Sequence, residues 1–218
     1  DLVAPLSQLL GDEYHVAYAM RYQSPSIESG LEALKKSNVN SIHVIPLFPQ
    51  YASATTGSII DKVMEISQKW QIIPSIKFTS HFLEEPKFLE VIAQNGRKWM
   101  EKKQYDHFIF SYHGLPERQI RKGSVGNQCK LGSCCEHFHE RNQFCYRAQC
   151  FQTTRLLAEK LGLNEDQYTV CFQSRLGKDP WIKPYTEDVL QELAAHGKTK
   201  VLAFSPAFVA DCLETTIE

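Results

Sequence analysis

Short apolar runs alternate with amphipathic helical stretches along most of this chain, and that alternation admits few folds. From residue 73 onward the pattern predicts strand 73–79, helix 85–103, strand 107–112, helix 149–161, strand 168–173, helix 185–195, strand 200–204 and a last helix from Val209. A helix between two strands carries the chain back to the edge it came from, so such strands lie parallel and both faces of the sheet are covered. Residues 71–218 are therefore expected to form a complete doubly wound unit of four strands. The preceding stretch follows the same rhythm: helix 2–10, strand 16–22, helix 25–36 with Ser24 as N-cap and Pro25 at its first position, strand 41–48, helix 59–70. That stretch is expected to be the C-terminal part of a first α/β domain, with a cleft between the two. The 218 residues, 43% of them hydrophobic, can supply both cores. The chain opens on Asp1 and stops at Glu218 inside what reads as an unfinished helix, so it is expected to be part of a longer protein.

Charge narrows the partners. A net charge of −1, with no basic run interleaved with aromatics, suggests neither nucleic acid nor an anionic surface. No apolar run of transmembrane length and no leader pattern is seen, and a cytoplasmic location is the expectation. Five of the seven cysteines crowd between Cys129 and Cys150, which fits a reducing compartment and a metal site better than a disulfide scaffold.

Five stretches can carry chemistry. Strand 107–112 runs into His113, and Gly114 and Pro116 then break regular structure, so His113 is expected at the carboxyl edge of the sheet, where α/β folds bind ligands. A structural role is the commoner one for a single histidine. In the last helix Val209, Leu213 and Ile217 share one stripe and Asp211, Glu214 and Glu218 another. The plain reading is a solvated acidic face; the sharper one is a row of carboxylates beside His113, able to accept protons or bind a divalent cation. Residues 115–148 show no sustained period and hold Cys129, Cys134, Cys135 and Cys145, with His137 and His139 nearby. On spacing, structural zinc, an iron–sulfur cluster and free thiols all stay open. Cys150 is a spare ligand and Cys171 a buried apolar residue. Trp181, after the strand ending at Gln173, is either core or a wall for a flat ligand. The hydroxyl-rich loop 50–58 is either a helix cap or an anion site.

Taken in order, Met20-Arg21-Tyr22, Phe48-Pro49-Gln50-Tyr51 with Thr55-Thr56-Gly57-Ser58, Ser111-Tyr112-His113-Gly114-Leu115-Pro116, Phe172-Gln173-Ser174-Arg175 with Pro180-Trp181, and Ala210-Asp211-Cys212-Leu213-Glu214-Thr215 form a pattern that resembles the ferrochelatases, closest in wording to Gram-negative bacterial members. Each motif is weak and five in sequence are specific. The resemblance implies two flavodoxin-like doubly wound parallel-sheet domains around a porphyrin cleft, the first incomplete here, with a Cys-rich insertion at about 117–148. It implies a lyase that inserts ferrous iron into protoporphyrin IX to give protohaem. By the same resemblance His113 and Glu214 are catalytic, on opposite sides of the macrocycle. Asp211 and Glu218 join His113 and Glu214 as groups that meet the iron or its protons, and Arg21, Tyr22, Tyr51 and Trp181 surround the porphyrin. Which side delivers metal is left open.

The chain also departs from the family. Its glycine-rich opening strand and closing segment are absent, and Cys212-Leu213-Glu214 stands where animal members have His-Ile-Glu. An animal-type cluster needs cysteines of the closing segment. Some bacterial members carry theirs in an internal insertion instead, which turns the expectation for Cys129, Cys134, Cys135 and Cys145 toward 2Fe-2S. A chelatase for another tetrapyrrole and a non-catalytic haem or porphyrin binding module are the alternatives. Peripheral membrane contact and oligomeric state stay open.

Overall fold

The computed structural model describes residues 2–212 and Thr215. It is a mixed α/β structure with parallel sheets, divided into two compact units: Asp1–Pro46 with Ser53–Ser80, and Leu47–Ala52 with His81–Glu218.

The first unit holds α1 (Val3–Leu10), α2 (Ile27–Lys36), β1 (Ser41–Val44), α3 (Ser58–Ser67) and β2 (Ser75–Phe78). β1 and β2 pair in parallel from Ser41 opposite Ser75 to Val44 opposite Phe78. Ile27 and Leu31 of α2, Ile42 of β1, and Val63 and Ile66 of α3 form one core with Trp70. Three expectations change here. Residues 16–22 do not form a strand: Met20 makes a single bridge to Ser26, and among the described residues no strand runs beside the segment to complete a ladder. Ser26, not Ser24, caps α2, its hydroxyl accepting from Ser29 N at 3.1 Å, because Ser26 is the residue with extended backbone one step before the helix. The strand at 75–78 lies with β1, so the first unit runs past residue 71 to Ser80, while Leu47–Ala52 belongs with the second.

The second unit contains α4 (Pro86–Met100), β3 (His107–His113), α5 (Glu117–Lys122), α6 (Tyr146–Leu161), β4 (Tyr168–Gln173), α7 (Thr186–Ala195) and β5 (Val201–Phe204). Its sheet has three described strands, not four, in the order β4-β3-β5, all parallel. Central β3 is buried from His107 through Tyr112, as a strand covered on both faces must be. Alternation sorts its side chains. Phe108, Phe110 and Tyr112 pack with Leu89 and Ala93 of α4 and Leu157 and Leu161 of α6, whereas Ile109 meets Val189 of α7. Phe110 stacks on Phe204 of β5 at 4.9 Å between centroids. A Cβ on Gly96 would lie 2.5 Å from the Phe204 ring, so α4 approaches the sheet closely only because glycine stands there.

Segment 115–148 is less bare than its lack of period suggests. It holds α5 and three single-turn 3₁₀ helices, Val125–Asn127, Ser133–Cys135 and Glu140–Asn142. α6 begins at Tyr146, three residues before the expected Gln149, and buries ten of its sixteen residues. Among the described residues no helix is long and apolar enough to cross a membrane.

Candidate active site at the carboxyl edge of the second sheet

β3 ends at His113, in register with Gln173 at the end of β4, so both chains leave the sheet at the same edge. The imidazole Nδ1 lies 2.7 Å from Gly114 O. A carbonyl can only accept, so neutral His113 carries its proton on Nδ1 and leaves the Nε2 lone pair free as a base or ligand. Its ring faces Trp181, centroids 6.1 Å apart and planes tilted by 46°. The strap 180–182 is laced to the loop after β3: Glu117 N donates to Pro180 O at 2.9 Å and Ile182 N to Leu115 O at 3.0 Å. Trp181 is 8% exposed, its indole N–H bound to Leu176 O at 3.0 Å. It is a core residue whose ring stands beside the imidazole. Glycine is required beside it, since a Cβ on Gly114 would meet Gln173 O at 2.9 Å and the Trp181 ring at 3.0 Å. Ser174, just past β4, has φ of 65°, an unusual backbone for serine and one that gathers at functional edges.

The first turn of α6 sets these pieces in place. Tyr146 donates its hydroxyl to His113 O at 2.8 Å, pinning the backbone that carries the imidazole. Gln149 accepts from Tyr51 N at 2.6 Å and, fully buried, donates to Gln143 O. Thr153 accepts from Gln50 at 3.0 Å, and Thr154 shares a 2.8 Å hydroxyl bond with Tyr112. Tyr51 thus joins the second unit with the rest of Leu47–Ala52, its ring edge-on to Phe144 at 5.7 Å.

Four thiols gather at the start of the same helix. Cys134 Sγ lies 3.9 Å from Cys135 Sγ. Cys135 hydrogen-bonds to Cys145, the residue capping α6; that bond, with burial, pushes the Cys135 thiol up, and the same bond holds the Cys145 thiol down. Burial raises the thiol of Cys129, which also bonds to Cys134. These contacts link the four thiols in a chain, and among the described residues no three His, Cys, Asp or Glu side chains form a group that could hold a metal ion. His139 is taken up as the cap of 140–142, accepting from Arg141 N at 3.2 Å, and His137 is exposed. Cys150 and Cys171 are wholly buried.

Asp211 is exposed and borders an open groove of about 660 Å³ with Trp99, Ala203, Ser205, Phe208 and Val209. His113 is not among its lining residues. The expected helix from Val209 is not present over 209–212; Thr215 Oγ1 accepts from Cys212 N at 2.9 Å. Glu214 and Glu218 lie outside the described residues. In the first unit Arg21 donates through Nε to Ser58 Oγ at 2.8 Å and lies over the Tyr22 ring at 4.6 Å. Ser53–Gly57 form a π-helical turn that runs directly into α3, so no helix end is open at Ser58, and its hydroxyl serves Arg21.

A family model described as Ferrochelatase matches residues 1–218. The chain belongs to the ferrochelatase family. It is 45% identical to the ferrochelatase of Legionella pneumophila (strain Corby) over 218 residues, covering 100% of this chain and 64% of the relative. It is 40% identical to that of Coxiella burnetii (strain RSA 493 / Nine Mile phase I), covering 98% of this chain and 59% of the relative. The chain thus spans about three fifths of the length of these relatives.

In this ferrochelatase-family chain the structure brings His113, Trp181 and, through one helical turn, Tyr51 to a common framework; Arg21 and Tyr22 pair within the other unit. Tyr146, Arg147 and Gln149 make contacts around the candidate site that the sequence reading missed. A signal was present: Tyr146 carries the helical stripe of Cys150, Thr153 and Leu157 one turn upstream of Gln149, but the polar residues in this turn hid it.

Proposed function

We propose that the full-length protein is a ferrochelatase, a lyase that inserts ferrous iron into protoporphyrin IX with release of two pyrrole protons, giving protohaem in the last step of haem synthesis. The observation that carries the reading is His113: its Nδ1–H is held by Gly114 O, its Nε2 is free, and an indole stands beside it. A planar porphyrin hides its nitrogen lone pairs, so the protein must hold the ring distorted, using contacts elsewhere on the macrocycle, while a base takes the N–H protons. Neutral imidazole suits that task near pH 7. Glu214 is its proposed catalytic partner, and Glu214, Asp211 and Glu218 are proposed to ligate and partly desolvate the incoming Fe²⁺. Tyr51 and Trp181 are the proposed porphyrin contacts of the second unit, Arg21 and Tyr22 those of the first; the Arg21 guanidinium beside the Ser58 hydroxyl offers the donors a propionate carboxylate needs.

Two finer readings go with it. The architecture is two flavodoxin-like domains, supported by parallel strands with helical crossovers in each unit. Cys129, Cys134, Cys135 and Cys145 would hold a 2Fe-2S cluster. All-thiolate donors suit iron–sulfur chemistry, and the 3.9 Å separation of Cys134 and Cys135 matches the roughly 3.8 Å edge of a tetrahedron with metal–sulfur bonds of about 2.3 Å. When bound, such a cluster would supply a one-electron centre and a cross-link for the insertion. A cytoplasmic location, with peripheral contact to a membrane to collect an apolar substrate, completes the proposal.

The test is metal insertion by the full-length protein and its His113→Ala and Glu214→Ala variants. Loss of metallation with porphyrin binding retained is expected; binding and unchanged metallation in both would make this a porphyrin-binding module. For the cluster, visible absorption and an iron and acid-labile sulfide assay on anaerobically purified protein decide. Stoichiometric zinc without sulfide would refute it.

A further inference from the structure

Arg147, the second residue of α6, is a cation buried where no carboxylate meets it. It is 9% exposed, and among the described residues it forms no ion pair. Its donors go to carbonyls: Nη1 to Gly132 O at 3.2 Å, Nε and Nη2 to Lys183 O at 3.3 and 3.2 Å. The guanidinium also lies over the Phe151 ring at 4.5 Å and hydrogen-bonds the Cys135 thiol. Carbonyl dipoles and an aromatic face solvate a cation without neutralising it, and a charge withdrawn from water is disfavoured until a counter-charge is near.

Within the thiol group the guanidinium meets Cys135. Gly132 opens the turn that carries Cys134 and Cys135, and Cys145 lies two residues earlier on the same chain. Neutral thiols leave Arg147 uncompensated. Four thiolates around a divalent metal or a 2Fe-2S core of charge +2 carry a net charge of −2, which a fixed cation on one side stabilises. We propose that Arg147 is the built-in counter-cation of the four-cysteine site, a positioning residue outside the ligand set that sets how tightly the site holds a cationic metal centre. The proposal rests on the reading of those cysteines as a metal or cluster site. Its three carbonyl bonds fix where the charge points, and through Lys183 they tether the thiol turn to the strap that bears Trp181.

Cobalt(II) is a suitable probe, since thiolate ligation gives it visible charge-transfer absorption whether the native occupant is zinc or a cluster. Metal-free full-length protein is titrated anaerobically with Co²⁺ against a competing chelator, with circular dichroism confirming that each variant is folded. Arg147→Gln, which keeps donors for the Lys183 carbonyl but no charge, is expected to weaken Co²⁺ binding by about ten- to a hundred-fold, the range for partners outside the ligand shell. Arg147→Met is expected to do the same, and Arg147→Lys, which keeps the charge, to stay within about threefold of the parent. Binding by Arg147→Gln as tight as the parent's overturns the proposal, and so does a fall in Arg147→Lys as large as in Arg147→Gln, which would assign the role to packing. Absence of thiolate–cobalt absorption in the parent protein instead overturns the reading of the cysteines themselves.

Discussion

Helices α1 and α6 behave in the opposite sense to their compositions. α1 reads Val-Ala-Pro-Leu-Ser-Gln-Leu-Leu and buries none of these residues; Leu9 is 83% exposed. α6 carries tyrosine, arginine, glutamines and threonines, and buries ten of its sixteen residues against β3. Burial therefore follows the partner surface rather than the apolar content of the segment. It is tolerable in α6 because each buried polar group is met: Tyr146 by His113 O, Gln149 by Tyr51 N and Gln143 O, Thr153 by Gln50, Thr154 by Tyr112. The residues that satisfy α6 are those of the candidate site, so the stability of that helix and the placement of the site are one set of interactions.

That contrast is open to measurement. The largest effect is expected at the edge α6 organises: His113→Ala in the full-length protein should lower metal insertion by about 10²–10⁴-fold, the span for loss of a general base, with porphyrin binding by fluorescence quenching retained. Next, Leu157→Ala removes a wholly buried side chain of α6 and should cost about 2–5 kcal/mol in denaturant unfolding; a value near zero would mean that α6 is not the core helix described. Tyr146→Phe deletes the bond to His113 O and should cost about 1 kcal/mol, with a larger fall in kcat than in stability because the imidazole loses its anchor.

A smaller, pH-dependent term comes from His107, where β3 begins. Burial, helped by Lys198, holds its imidazole below the ordinary value of 6.5. The folded state thus binds fewer protons than the unfolded one, so this contribution is intact above that value and is lost as pH falls below it. Thermal midpoints measured from pH about 7.5 down to about 5.5 should decline, and His107→Gln should flatten the acidic limb. Smallest of all, Leu9→Ala in α1 should change stability by no more than about 0.5 kcal/mol. A loss of several kcal/mol there would show that α1 is covered, and the contrast between the two helices would fall.

The elements themselves were largely legible. Strands β3, β4 and β5 fall within a residue or two of their expected positions because buried parallel strands are continuous apolar runs bounded by turns. Strand 16–22 failed for the complementary reason: Val16, Tyr18 and Tyr22 are good strand formers, but a strand exists only where a neighbour supplies the ladder. His113 was legible as the residue where a strand runs into Gly114 and Pro116. The tautomer that frees its Nε2 was not, since that depends on where Gly114 O points after the turn. Asp211 read as part of a helical stripe, yet residues 209–212 are not helical.

By itself, then, the amino-acid order determined the parallel α/β rhythm, the membership of the ferrochelatase family and the short set of residues able to do acid–base and metal chemistry there. Those depend on local pattern and residue type. Only the tertiary structure decided that Tyr51 travels with the second unit, that β2 pairs with β1, that Tyr146 and Gln149 hold the candidate site from one helical turn, and that Arg147 is buried against the Cys135 thiol with no carboxylate among the described residues. Each of these is a contact between residues far apart in the chain, made by hydrogen bonds whose partners no local periodicity reveals.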